Sequence, residues 1–307
     1  MKRSVRPCSA NAARRALGAA AVLVSIGGLA PQVQAQGASS RLEAIAERGV
    51  LRAGTRTDAR PFAFRTDSGS FGGFSVDLLS AIHERLDRRL DPDIELSISG
   101  VSSTTRFERI ENGELDIVCG LTTITWPRER RVDFTLPFFV DGTKLLTYRE
   151  HGQRGLSGLR GRRVGVLKGA TTQRIVRSAL PSAELVRFPR MSAAMDALAA
   201  REVAAVSNIG ILLEKLRKES PRAASLTVIP DTVGLNRETM GCILPENESA
   251  LRDTINRILA DMMSGLADLS GPYADVYFDW FGVDGVLFYP LTEKRRRILR
   301  GARVWLQ

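Results

Sequence analysis

The chain is short of the side chains that most often do chemistry at neutral pH. Its 307 residues hold 2 histidines and 3 cysteines. His83 falls inside a helical pattern and His151 in a loop, so neither argues for catalysis. Cys8 sits in the basic N-terminal segment, with no lipid-attachment context after it. Cys119 and Cys242 remain in the body, either as a disulfide in an oxidising compartment or as two small buried hydrophobes. After the N-terminal segment no apolar run is long enough to span a bilayer. There is no internal repeat and no low-complexity stretch. Lys168-Gly169-Ala170-Thr171-Thr172 resembles a phosphate loop only superficially, because no Gly-Lys-Ser/Thr follows a four-residue spacer. A hydroxyl-bearing helix N-terminus there suits any anion, a carboxylate included.

The N-terminus reads as an export signal. Lys2, Arg3, Arg6, Arg14 and Arg15 form a basic segment without an acid, Ala16 to Ala30 is apolar, and Val33-Gln34-Ala35 supplies small residues for cleavage after Ala35. The formal net charge of +10 is concentrated at the two ends. Residues 1–35 carry five positive charges, and Lys294, Arg295, Arg296, Arg297, Arg300 and Arg303 outweigh Asp284 and Glu293 in the tail, residues 284–307. The body between is nearly neutral, so the basic balance does not imply a nucleic-acid partner.

Strand and helix patterns alternate along the body. Strands are expected at 50–54, 94–98, 115–119 and 144–148, with helices at Phe74–Leu90 and 105–112. The helix Phe74–Leu90 sets Val76, Leu79, Ile82 and Leu86 on one face. The pattern then restarts. Strands are expected at 161–167, 184–188, 203–208 and 226–229, with helices at 173–180, 192–201 and 211–218. A linking strand at 238–244 and a long helix at 248–264 complete the body, followed by Tyr273, Tyr277, Phe278, Trp280 and Phe281. Such alternation predicts mainly parallel sheets flanked by helices, and two runs of it predict two lobes. Ligands in such folds sit at the C-terminal strand ends.

One such strand end stands out. The apolar stretch Leu115 to Val118 runs into Thr122, Thr123 and Thr125, then Arg128, Arg130 and Arg131, and closes at Phe134-Thr135-Leu136-Pro137-Phe138. Hydroxyls beside a guanidinium make a carboxylate receptor, since Arg offers two parallel hydrogen bonds and the hydroxyls fill the remaining lone pairs. A polar surface loop is the plainer alternative.

With these motifs in place, residues 41–282 resemble the family 3 solute-binding proteins of ABC transporters for polar amino acids, most of all the periplasmic glutamate/aspartate-binding proteins. The resemblance rests on Gly54-Thr55-Arg56 with Pro61-Phe62, Gly73-Phe74-Ser75-Val76-Asp77, Asn112-Gly113-Glu114-Leu115-Asp116, Cys119-Gly120-Leu121-Thr122-Thr123, Arg128 six residues before Phe134-Thr135, Gly142-Thr143-Lys144-Leu145-Leu146-Thr147, and Gly241-Cys242. It implies the two-lobed type II periplasmic-binding fold, α/β in each lobe, with lobe one at 36–144 plus 240–283 and lobe two at 145–239. It implies a non-enzymatic, monomeric periplasmic protein without cofactor or metal. Such a protein captures an acidic amino acid or related dicarboxylate and delivers it to a membrane permease.

The resemblance also implies roles. Arg128 matches the anchor of the ligand α-carboxylate, with Thr122 and Thr123 beside it. Arg56 and Arg106 with Ser103 match the holders of a second carboxylate, and Thr171 matches a hydroxyl from lobe two. From the residues alone, Arg106 is equally a helix-surface partner of Glu108 or Glu111, and Arg56 a solvated turn residue. Cys119 and Cys242 match a paired position, which implies a disulfide. The chain departs from the family at Val206-Ser207-Asn208-Ile209-Gly210, where relatives carry an Asp for the ligand ammonium. Asn208 accepts a hydrogen bond there without supplying charge, and Asp231 or Glu238 is the alternative source of an anion. The competing function is an exported dehydratase of the cyclohexadienyl or arogenate kind, which needs a cleft acid such as Asp58 as proton donor. The tail falls outside the resemblance. It is expected to form a basic helix over 293–303, with Leu291, Ile298, Leu299, Val304 and Trp305 apolar, facing an anionic lipid or transporter surface or simply solvated.

Overall fold

The structure, a computed structural model, describes residues 40–90, 93–230 and 234–302. The expected signal peptide, Asp231, Val304 and Trp305 lie outside these residues. Everything below concerns the compact unit Ser39–Gln307. No helix among the described residues is long and apolar enough to cross a membrane.

Two five-stranded sheets organise two lobes. The first runs Glu95–Val101, Val50–Arg56, Ile117–Val118, Ile243–Leu244, Asp133–Phe134. Its first three strands are parallel and Ile243–Leu244 is antiparallel to both neighbours. The second runs Glu184–Phe188, Arg163–Leu167, Ala205–Ile209, Thr143–Tyr148, Leu226–Ile229. It repeats the plan, with three parallel strands followed by antiparallel returns. The inner strands Ile117–Val118 and Ala205–Ile209 are buried throughout, as expected where helices cover both faces, while the edge strands Glu95–Val101 and Glu184–Phe188 keep exposed residues. Helix Phe74–Leu90 buries Leu78, Leu79, Ile82 and Leu86 completely, each contributing roughly 1.5–3 kcal/mol by leaving water. They join Tyr273, Tyr277 and Phe281 of helix Pro272–Phe281 in the first lobe's core. Leu146, Leu198, Val206 and Leu213 belong to a separate core under the second sheet.

The single linking strand expected at 238–244 is two strands. Glu238–Met240 pairs antiparallel with Phe139–Asp141 in a two-stranded ribbon, and Ile243–Leu244 belongs to the first sheet. Between them the backbone serves other partners: Gly241 N–H donates to Thr122 O at 3.1 Å and Cys242 N–H to Thr135 Oγ1 at 3.0 Å. Cys119 and Cys242 form a disulfide, their Cα atoms 4.4 Å apart, brought together because Val118 and Ile243 are register partners. The chain leaves the ribbon at Gly142, where an added Cβ would stand 2.3 Å from Asn236 O, so only glycine fits the crossing.

The tail is neither a solvated helix nor an apolar face left for a membrane. Its helix, Glu293–Gly301, is capped by Thr292, and Leu287, Leu291 and Leu299 are buried in the first lobe's core. Of the apolar residues expected on its exposed side, Leu291 and Leu299 are buried and Ile298 packs against the same core.

Candidate functional site

Strand ends, loops and short helices from both lobes converge between the sheets. Strand Val50–Arg56 delivers Arg56, the turn before helix Thr105–Glu111 carries Ser103, and that helix carries Arg106. The loop after Ile117–Val118 carries Thr123, and the short helix Trp126–Glu129 carries Arg128. From the second lobe come Thr171, at the start of helix Thr172–Ala179, and Asn208 in strand Ala205–Ile209. All seven line one cleft.

Thr122, the eighth residue expected there, does not line it. Thr123 faces the cleft, while its neighbour is 1% exposed with its hydroxyl unpartnered inside the protein. Consecutive residues of an extended loop point to opposite sides, so only one of the pair can reach a ligand.

The arginines are buried, which removes the surface readings of Arg56 and Arg106. Arg56 is 7% exposed and holds Asp58 through its Nη2 at 2.6 Å. Arg106 is 3% exposed and donates to Leu121 O at 3.1 Å, while its Nε has no hydrogen-bond partner. Of the two acids expected to hold it on the helix surface, Glu108 and Glu111, the second pairs instead with Arg131. Burial pulls Arg106 well below the usual guanidinium range, and the like charges of Arg128 and Arg56 add to it. Burial likewise brings Arg128 down to about 10, opposed by Glu238. Arg128 donates from Nη1 to Thr123 O at 2.7 Å and from Nη2 to Gly169 O at 3.0 Å, and so touches both lobes. Ser103 Oγ also crosses, donating to Lys168 O at 3.1 Å. Gly169 permits this approach: its φ is +73° and an added Cβ would lie 3.0 Å from Ser103 O.

Two cleft carboxylates complete the inventory. Glu238, from the linking ribbon, is 2% exposed. Its Oε2 accepts from the hydroxyls of Thr123 and Thr171, and its Oε1 from Thr143 Oγ1 at 2.6 Å and Asn236 Nδ2 at 3.2 Å. Asp58 is the partner of Arg56. Both carboxylates come from outside the second lobe's sheet. Asn208 is committed locally: its Oδ1 accepts from Ile209 N–H at 2.9 Å and its Nδ2 faces Met191 Sδ at 3.4 Å. Arg60 also lines the cleft, over the Phe64 ring at 3.8 Å, and nothing in the sequence marked it. Among the described residues lining the cleft, four arginines therefore face two carboxylates. No cluster that could hold a metal ion occurs among the described residues. His83 Nε2 contacts Ile94 O at 2.6 Å, a structural bond.

Two lobes joined by a ribbon and closing on a cleft of buried arginines define a solute-binding protein. The chain belongs to the bacterial extracellular solute-binding proteins, family 3, whose model matches residues 51–283. An L-glutamate/L-aspartate-binding protein of Pseudomonas aeruginosa is 25% identical over 88% of this chain and 91% of its own length. The ABC transporter glutamine-binding protein GlnH of Bacillus subtilis is 28% identical over 79% of this chain and 85% of its own. The fold matches the crystal structure of an ancestral amino acid-binding protein, a precursor of cyclohexadienyl dehydratase, with a TM-score of 0.68. That match spans 79% of this chain and 100% of the other at 23% identity.

Proposed function

We propose that the protein is the periplasmic binding component of an ABC transporter, closing its lobes on glutamate, aspartate or a related dicarboxylate and delivering it to the permease. The observation that carries this reading is the buried trio Arg56, Arg106 and Arg128, with Arg106 Nε unpartnered and its charge disfavoured by its neighbours. A carboxylate arriving there satisfies an orphaned donor and relieves like-charge repulsion together. The relatives named for glutamate and aspartate support the same ligand class. Thermal melting of the exported chain against a panel of amino acids and dicarboxylates tests it. A ligand at 100 times its Kd should stabilise by about 2.7 kcal/mol, and a panel in which only neutral or basic amino acids shift the melt would overturn the reading.

The dehydratase reading requires a cleft carboxylic acid free to protonate a leaving hydroxyl. Glu238 accepts from three hydroxyls and an amide, and Asp58 is held by Arg56, so both act as acceptors. Incubation with prephenate or arogenate should give no aromatic product absorbance. Turnover would restore the enzyme.

A further inference from the structure

The chain beyond the matched family region is built into the machinery that joins the lobes. Tyr289 stacks on Phe139 of the linking ribbon, with ring centroids 6.1 Å apart and planes 20° from parallel. The Arg295 guanidinium covers the Tyr289 ring at 3.9 Å, and Tyr277 Oη donates to Tyr289 O at 2.9 Å. The Tyr289 hydroxyl donates to Asp141 Oδ1 at 2.7 Å. Asp141 ends ribbon strand Phe139–Asp141, and its Oδ2 accepts from Ile211 N–H at 2.8 Å. Ile211 lies in the first turn of helix Gly210–Glu219, directly after the strand carrying Asn208 and Ile209 into the cleft. One carboxylate thus ties together the C-terminal segment, the ribbon and the second lobe's cleft wall. The carboxylate is buried: burial raises the Asp141 carboxyl above its ordinary range against the pull of its hydrogen bonds and of Arg295, and burial with Asp141 beside it pushes Tyr289 upward, keeping the phenol a donor. In such surroundings an unpaired oxygen on Asp141 is costly.

We propose that Tyr289 is a positioning residue for lobe closure: acting through Asp141, the C-terminal segment braces the ribbon and fixes the start of helix Gly210–Glu219 behind the cleft wall. The proposal rests on the binding-protein reading for its purpose, but the geometry can be tested without a ligand.

The experiment compares the full exported chain with Tyr289→Phe, which keeps the ring and the core and deletes only the hydroxyl. Amide hydrogen exchange is followed in the ligand-free protein. With the brace weakened, the Ile211 amide and the ribbon amides should exchange about fivefold faster, the size expected for one lost hydrogen bond, while the second lobe's core strands are unchanged. If exchange rises only within 287–299 and Ile211 stays within about twofold of wild type, the segment merely covers the first lobe and the proposal fails. Arg295→Ala leaves the hydroxyl bond in place and should move Ile211 less. An equal movement would show that the hydroxyl is not the link. Calorimetry with L-glutamate as the probe adds the functional arm. Faster exchange with a weakened L-glutamate Kd supports both readings, and faster exchange with no L-glutamate heat in either protein removes the ligand assignment while leaving the brace standing.

Discussion

The two walls of the cleft are made differently. The first lobe supplies the charge: Arg56, Asp58, Arg60, Arg106 and Arg128 all come from it. The second lobe's sheet and helices supply Leu167, Ala170, Thr171, Met191, Asn208 and Ile209, all neutral, while the carboxylate of Glu238 stands on the linking ribbon between the walls. One wall therefore carries most of the charge, and the other adds hydroxyls, an amide and apolar cover. On the proposed reading, a carboxylate ligand held by the arginine wall has its remaining surface desolvated by the neutral wall, the arrangement in which a bidentate Arg–carboxylate pair gains most.

The covalent difference between the lobes carries the largest expected effect. The first is stapled by Cys119–Cys242, which closes a loop of 123 residues, and no disulfide occurs in the second among its described residues. Loop entropy assigns such a bond about 4–5 kcal/mol. Thiol titration of the unreduced, denatured protein should find no free thiol in the mature chain, and the double variant Cys119→Ser, Cys242→Ser should lose stability mainly in first-lobe amides. An equal loss in both lobes would mean that the staple does not belong to one of them.

Next comes Arg128→Lys. Lysine keeps the charge but cannot donate to both Thr123 O and Gly169 O while offering a fork to a carboxylate. Calorimetry should show binding weakened by about 2–5 kcal/mol, the range for truncating a buried charged partner. Equal affinities would remove Arg128 from recognition.

A smaller effect separates side chains. If Arg106 meets a distal carboxylate, glutamate should outcompete glutamine by about 1–3 kcal/mol, because a neutral amide leaves the guanidinium without its charge partner. Displacement by glutamine as readily as by glutamate would place the arginines' role elsewhere.

The smallest effect probes the neutral wall. With Asn208 committed to Ile209 and Met191 and the four bonds to Glu238 already made, a ligand α-ammonium finds no uncommitted anion among the described residues lining the cleft. Glutamate should then exceed 2-oxoglutarate by less than a hundredfold, about 2.7 kcal/mol. A larger preference would mean that a charged partner exists, Asp231 or a Glu238 that releases Thr123 and Thr171, and Asp231→Asn and Glu238→Gln would then show which one takes the ammonium.

Much of the fold was legible because its elements are long or strongly patterned. Helix Phe74–Leu90 and strands Glu184–Phe188 and Leu226–Ile229 fall where periodicity sets them. Short strands were not legible. Asp58–Ala59, Ala63–Arg65 and Phe71–Gly72 form a small sheet of their own, and Phe139–Asp141 pairs with Glu238–Met240. Segments of two or three residues carry too little pattern and owe their pairing to tertiary context. The same limit governs the cleft. Arginines and hydroxyls at strand ends pointed to it, but choosing Thr123 over Thr122 needed the loop's orientation. Nothing local marks Arg60, and Glu238 was visible only as one of two acids in a returning segment. The tail misled for a related reason: an amphipathic helix looks the same whether its apolar side meets a membrane or its own core.

The order of strands along the chain bears on how the protein is made. Every strand of the second sheet falls between Thr143 and Ile229 in one unbroken stretch, whereas the first sheet is finished only by Ile243–Leu244. A chain emerging N-terminus first can therefore assemble the second lobe from contiguous material. The first lobe waits for sequence that arrives after its partner is complete, including the second half of its disulfide and the C-terminal segment that closes its core. The arginine wall is therefore the earlier part of the cleft along the chain, yet the core behind it is complete only with Leu287, Leu291 and Leu299.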